Sequence, residues 1–170
     1  MSKRMNQIGV SQRVRLEWLE QTANLILAGY DKAEITDALQ ELLKDKVSVG
    51  GNSKGCNRNK AISILRKVWL NPPPQCIPLR DDGLNLLATQ PLSLSPHSLN
   101  VVLHWGMVMA VYPFWSGVAI QTGRLLRLQG SVAAAHVQRR VREQYGERET
   151  VSRAARRVLR SYLDWGVLQE

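Results

Sequence analysis

Cysteine is scarce in this chain, which argues against any site built from clustered thiolates. Cys56 and Cys76 are its two cysteines, and no Cys-x-x-Cys pattern is present. A structural zinc site usually takes four cysteine or histidine ligands, so the sequence predicts no metal site. Two isolated cysteines are typical of a reducing cytoplasm, and we expect free thiols here rather than a disulfide.

The sequence also lacks a recognisable catalytic constellation. The three histidines, His97, His104 and His136, are scattered, and Asp81 adjoins Asp82 instead of facing it across a cleft. No GxxxxGK[ST] phosphate loop occurs, and no pair of base and nucleophile for a ribonuclease can be named. The sequence therefore predicts a protein that is not an enzyme and binds no cofactor.

No apolar run is long enough to cross a membrane. The most apolar stretch, residues 101–115, contains His104 and Pro113 and falls short of the ~20 residues that a membrane-spanning helix needs. We expect a buried core helix that Pro113 ends, with His104 as a hydrogen-bonded core residue. The N-terminal residues show no signal-peptide pattern, which predicts a cytoplasmic protein without membrane contact.

The predicted fold class is all-α with several helices. Apolar residues recur at helical spacing, and no alternating strand of useful length is present. Asp31 and Glu34 have the spacing of a capping box, Gly29 and Gly130 fit helix ends, and Ser131 fits a helix cap. Helices are expected at about 11–28, 31–43, 57–69, 79–88, 96–111, 114–129, 131–145 and 150–165.

Three consecutive prolines, at 72–74, form the best candidate for a domain boundary. Proline ends helices, so the run separates a predicted N-terminal helical unit, residues 1–71, from a C-terminal helical unit, residues 75–170. Residues 46–56 contain three glycines without helical periodicity, and an exposed loop is predicted there.

Positive charge is concentrated toward the carboxyl end of the chain. Residues 121–160 contain ten arginines, no lysine and three acidic residues, so this segment carries +7 of the formal net charge of +9. A guanidinium group is a planar fork of donors that can bind a phosphate through two hydrogen bonds. The concentration of arginine favours a surface for a polyanion, and duplex DNA is the expected partner.

Arginines and apolar residues separate onto opposite faces of the predicted helix at 150–165. At about 100° per residue, its arginines fall within an arc of roughly 100°. The preceding helix and a short turn near Gly146 complete a helix-turn-helix-like pair over 131–165, with too few residues after Gly166 for a full wing. The predicted phosphate contacts are Arg139, Arg140, Arg142, Arg148, Arg153, Arg156, Arg157 and Arg160.

A second basic cluster contains Lys54, Arg58 and Lys60, in a stretch without acidic residues from Gly51 to Pro74. The glycine-containing loop and the helix start at Asn57 could present backbone amides to a phosphate. A solvated loop and helix explain the pattern equally well. The three cations are included among the candidate nucleic-acid contacts.

Three segments of the chain, in order, resemble the small BrxA proteins of bacterial BREX phage-defence systems. They are NRNKA at 57–61, LHWGMVMAVYPFW at 103–115 and RRVLRSYLDWGVL at 156–168. The likeness covers most of the chain as a pattern. It implies a cytoplasmic, helical DNA-binding accessory protein that works beside other phage-defence subunits.

Two alternatives remain for the arginine-rich segment. Its arginines could form a solvated face paired with Glu143, Glu147 and Glu149, although three acids cannot neutralise ten arginines. The basic face could also dock an acidic partner in a multi-subunit defence complex, which would make the protein an adaptor. The leading hypothesis is a non-enzymatic protein that binds the phosphates of duplex DNA.

Overall fold

The computed structural model describes residues 8–47, 57–89 and 96–169. Within these ranges it contains eight α-helices and no strand, which confirms the prediction of an all-α protein. A π-helical turn, Arg66–Leu70, continues the third helix, and a 3₁₀ turn, Pro74–Cys76, precedes the fourth. The helices are α1 Leu16–Leu27, α2 Lys32–Leu42, α3 Asn57–Leu65, α4 Ile77–Ala88, α5 Pro96–Val111, α6 Pro113–Gln129, α7 Ala134–Tyr145 and α8 Glu149–Asp164.

The chain divides into two compact units. The terminal unit combines the residues up to Val14 with those from Tyr112 onward, and the central unit is Arg15–Val111. The proline run at 72–74, where the sequence predicted a boundary between units 1–71 and 75–170, lies inside the central unit. Proline ends a helix without separating the packing on its two sides: the Trp69 ring before the run lies so close to Gly83 after it that a Cβ on Gly83 would be 3.1 Å from the ring.

Local sequence signals set several helix ends. The carboxylate of Asp31 accepts hydrogen bonds from the backbone N–H groups of Ala33 and Glu34, at 2.7 and 2.9 Å. The carboxylate of Glu34 accepts one from the N–H of Asp31 at 2.8 Å, which confirms the predicted capping box. Gly130, at φ +71°, follows the last residue of α6 in the left-handed conformation that glycine adopts at low cost.

Two predicted helix starts are wrong. α1 begins at Leu16 and not near Ser11, because residues 8–14 form a non-helical segment, here named the N-terminal strap. Val10 and Val14 of the strap are buried, so packing within the terminal unit outweighs their local helical pattern. The residue before α7 is Ala133 rather than Ser131, and it makes no side-chain cap.

The apolar stretch at 101–115 forms parts of two helices. α5 ends at Val111, and α6 begins at Pro113, whose fixed φ suits the first turn of a helix. In the part of the chain that the structure describes, no single helix has the length and apolar character of a membrane span. Leu99–Val111 and Pro113–Gln129 satisfy those two criteria only when they are taken together as a bent pair.

A tryptophan–histidine pair lies in the core of the central unit. The indole N–H of Trp69 donates a hydrogen bond to Nδ1 of His104 at 3.0 Å, and the rings meet edge to face at 5.3 Å between centroids. His104 is fully buried, which confirms its prediction as a hydrogen-bonded core residue. Burial lowers the pKa of His104 to about 4, because charging the imidazole away from water is costly.

Aromatic side chains hold α6, α7 and α8 together in the terminal unit. The hydroxyl of Tyr162 on α8 donates to the backbone carbonyl of Trp115 on α6 at 2.8 Å. The Trp115 ring also contacts the rings of Tyr162 and Trp165, with centroids 5.1 and 5.3 Å apart. Phe114 and Tyr145 meet edge to face at 4.9 Å and join α6 to the end of α7. These contacts fix the orientation of α8 within the unit.

Gly117 is expected to be intolerant of a side chain. A Cβ at this position would lie 2.9 Å from two ring carbons of Tyr145, so Gly117→Ala must displace the tyrosine. We expect the free energy of unfolding to fall by about 1–3 kcal/mol in urea titrations. Gly123→Ala on the same helix is the control, because Gly123 is exposed and meets nothing within 4 Å. That change should raise the stability by about 0.5–1 kcal/mol. Equal effects of the two changes would contradict the close packing.

His104 is expected to make the fold acid-sensitive. Its folded pKa of about 4 lies below the ordinary value of 6.5, so the unfolded chain takes up a proton first as the pH falls. The contribution of neutral His104 to the free energy of unfolding is complete above pH 6.5. It should be lost below that pH, at up to about 1.4 kcal/mol per pH unit, until the pH reaches about 4. Urea titrations at several pH values should show this loss in the parent protein and not in His104→Asn. His136→Asn, at an exposed histidine, should still lose stability as the pH falls. A parallel pH dependence for the parent and both variants would refute the assignment of this loss to His104.

Candidate nucleic-acid interface

α8 presents two opposite faces. The side chains of one face are buried in the terminal unit, while Arg153, Arg156 and Arg160 are exposed and Arg157 is half-buried. These four arginines lie within an arc of about 100° at helical spacing, as predicted. The buried residues of the helix are Val151, Ser152, Ala154, Ala155, Val158, Leu159, Ser161 and Tyr162.

Every described carboxylate of the terminal unit already has an arginine partner. Glu143 lies 3.1 Å from Arg140 and 3.9 Å from Arg139. Glu147 lies 3.4 Å from Arg142, and Glu149 lies 3.3 Å from Arg153. Asp164 pairs with Arg13 of the strap through two hydrogen bonds, which raise the pKa of Arg13 above its usual value. The acids near α7 and α8 therefore neutralise part of the arginine cluster and leave the remainder unbalanced.

The arginines of the terminal unit that lack a carboxylate partner among the described residues include three on α8. Arg156, Arg157 and Arg160 have no ion pair or side-chain hydrogen bond with any residue that the structure describes, and we name them the α8 arginine face. Arg156 and Arg160 are four positions apart, so two like charges are neighbours on the helix surface. The sequence prediction that α8 carries an exposed row of cations agrees with this geometry.

The predicted arginines of α7 do not belong to the same face. Arg140 lines a groove between α6 and α7, together with Arg124 and Gln144. Arg142 is half-buried and pairs with Glu147, while Arg139 points more directly to solvent. Arg148, in the turn before α8, donates to the backbone carbonyl of Tyr145 at 3.2 Å and so caps the end of α7. The eight predicted arginines therefore do not share one surface: four lie on α8, Arg140 lines a separate groove, Arg148 caps α7, and Arg139 and Arg142 pair with acids of α7 and of the turn after it.

The N-terminal strap packs beside α8, and the sequence did not predict this contact. The backbone N–H of Val14 donates to Oγ of Ser161 at 3.0 Å, and the indole N–H of Trp165 donates to the Val14 carbonyl at 2.9 Å. A groove of about 340 Å³ between the strap and α8 is lined in part by Arg153 and Arg157. The alternation of Val14 with Arg13 and Arg15 is the signal that could have indicated an extended segment.

The second predicted cluster has a different geometry. Arg58 is half-buried, and its guanidinium donates to the backbone carbonyl of Lys44 at 2.8 Å, which ties the start of α3 to the residues after α2. Lys60 is exposed on α3, and Lys54 lies outside the described residues. Arg58 is therefore engaged in holding the central unit together, and the cluster provides fewer free cations than the sequence suggests.

The described residues bring together no group of three or more histidine, cysteine, aspartate or glutamate side chains that could hold a metal ion. Among the known proteins, no family model, no curated protein and no solved structure matches this chain.

The unpaired arginines of α8 should reduce stability. Because Arg156 and Arg160 are adjacent like charges without a carboxylate, replacing both by glutamine should raise the free energy of unfolding by about 0.2–0.5 kcal/mol at low salt. The gain should vanish in about 1 M salt, where charges are screened. Arg153→Gln is the control, because the loss of its pair with Glu149 offsets the relief of its repulsion with Arg157, and the net change should be close to zero. A loss of stability in the double variant would show that these two side chains have a structural role.

Proposed function

We propose that the terminal unit binds the phosphate backbone of duplex DNA through the α8 arginine face, and that it does so without catalysing a reaction. The observation that carries the proposal is the charge imbalance: three guanidinium groups share one face of a helix, and the described carboxylates of the unit are occupied elsewhere. The phosphates of a nucleic-acid backbone supply a row of single negative charges that such an array of guanidinium groups can bind.

The arrangement of α7 and α8 supports a helix-turn-helix-like mode of docking. Residues 146–148 connect the two helices, and Gly146 turns the chain at φ +100°. In this mode α8 would lie along the major groove, with its guanidinium groups reaching the phosphates on either side. No strand follows α8 among residues 165–169, so the proposal does not include a wing.

Phosphate contacts carry no sequence information, so we propose binding with low sequence preference. Three to five contacts predict a log–log salt slope of about −3 to −5, because each neutralised phosphate releases part of a condensed counterion. Arg153 and Arg148 are the next candidates beyond the α8 arginine face, although both have partners in the free protein. The link to phage defence is part of the proposal and is supported by the resemblance to BrxA proteins alone.

The decisive comparison uses two double charge reversals in the same unit. Arg156→Glu with Arg160→Glu changes the α8 arginine face, while Arg124→Glu with Arg127→Glu makes an equal change in net charge on α6. Anisotropy titrations with a labelled duplex of about two helical turns should show affinity about tenfold lower or worse for the α8 pair. The salt slope should become shallower by about 2 for that pair only.

The α6 variant should bind DNA within about twofold of the parent protein once long-range charge effects are screened at moderate salt. If both variants lose affinity equally, the interaction depends on net charge and not on the α8 arginine face. If neither loses affinity, DNA binding does not use these arginines and the proposal fails.

A further inference from the structure

A stripe on α6 combines exposed apolar and cationic side chains, and the proposed DNA contact does not use it. Ile120, Arg124, Arg127 and Leu128, here named the α6 stripe, recur at helical spacing and are all exposed. Leu128 is 80% exposed, more than any other large apolar side chain in the described ranges, and Ile120 is 49% exposed. A single exposed leucine needs no explanation, but two apolar residues beside two cations form a surface that combines apolar area with positive charge.

The α6 stripe borders the groove between α6 and α7. The groove has a volume of about 560 Å³, and Leu125, Leu128 and Arg124 line it from α6. From α7 it is lined by Arg140 and Gln144, and Gln144 accepts a hydrogen bond from Gln121 across the groove at 3.2 Å. Glu143 also lines it, but Arg140 lies 3.1 Å from this carboxylate.

The α6 stripe has positive charge without carboxylate partners among the described residues, as the α8 arginine face does. Arg124 and Arg127 make no ion pair or side-chain hydrogen bond with any residue that the structure describes. A partner for this surface must therefore bring negative charge to two guanidinium groups and apolar side chains to Leu128 and Ile120. Duplex DNA supplies only the first, because its phosphate edge offers no apolar surface to bury a leucine.

We propose that the α6 stripe and the adjoining groove dock an acidic amphipathic helix of a partner protein. Leucine-type side chains at positions i and i+4 of that helix enter the groove beside Leu128, and its carboxylates meet Arg124 and Arg127. The apolar contact provides affinity, and the charge complementarity provides orientation and a faster association rate. The site shares no residue with the α8 arginine face, so one unit can hold DNA and a protein partner through different surfaces.

The test uses a panel of labelled synthetic helical peptides of about 14–20 residues that carry leucine at i and i+4 and glutamate elsewhere. Two control panels keep the charge with serine in place of leucine, or keep the leucines with glutamine in place of glutamate. Binding is measured by anisotropy with the full chain, and amide chemical-shift changes show which helix each peptide contacts.

We expect the acidic leucine peptides to bind about tenfold or more tightly than either control panel, with shift changes on α6 and α7. Leu128→Ser should weaken binding about fivefold, and Arg124→Glu with Arg127→Glu should weaken it about tenfold or more. Arg156→Glu with Arg160→Glu should leave peptide binding within about twofold at moderate salt. The two double variants thus have opposite effects on peptide binding and on the proposed DNA binding.

Three results would overturn the docking site. The first is equal binding of the serine peptides, which would reduce the contact to charge alone. The second is an absence of binding above the control panels throughout the acidic leucine panel. The third is competition of duplex DNA for α6 together with a loss of DNA affinity in the α6 variant, because the α6 stripe would then extend the DNA contact. The proposal does not rest on DNA binding, and each can fail while the other holds.

Discussion

The buried face of α8 is the constraint on which the terminal unit depends. Val151, Ala155, Val158 and Tyr162 are fully or almost fully buried, and Tyr162 is also hydrogen-bonded to the backbone of α6. Burying one large apolar side chain contributes about 1.5–3 kcal/mol, whereas a like-charge pair on a helix surface costs a few tenths of a kcal/mol. Packing therefore decides how α8 is rotated, and the arginines have to face outward whether or not their charges repel.

The distribution of acidic residues then determines which arginines remain unbalanced. The described acids of the terminal unit lie on α7, in the turn after it and at the two ends of α8, where Glu149 and Asp164 each hold one arginine. Neither the middle of α8 nor the carboxyl half of α6 contains an acidic residue. Two unbalanced surfaces follow from this spacing, one purely cationic on α8 and one with apolar residues on α6. The difference in composition is the reason to expect different partners for them.

Sequence patterns were informative where local chemistry decides the structure. The capping box at Asp31 and the opposite faces of α8 follow from short-range spacing, and both were predicted correctly. The sequence predicts a helix from about residue 11, which wrongly includes residues 11–14 of the strap. Its actual conformation depends on Ser161 and Trp165, about 150 residues away, and no local pattern contains that information.

The candidate site shows the same limit. Helical spacing predicted which arginines of α8 share a face, since that is a property of one helix. It could not show that Arg140 turns toward α6 or that Arg148 caps α7, because both depend on how helices pack. It also gave no indication of the α6 stripe, since Leu128 reads as a core residue until the packing leaves it exposed.

The strap also imposes an order on biosynthesis. Residues 8–14 are translated before the whole central unit, yet the residues that receive them, Ser161 and Asp164 on α8 and Trp165 directly after it, are translated only after that unit. The central unit, Arg15–Val111, is therefore translated in full before the terminal unit has its closing helix. Closing a loop of about 150 residues between the strap and the end of α8 is an entropically costly and slow step. During translation the strap therefore lacks its partners Ser161 and Trp165 until α8 has been synthesised.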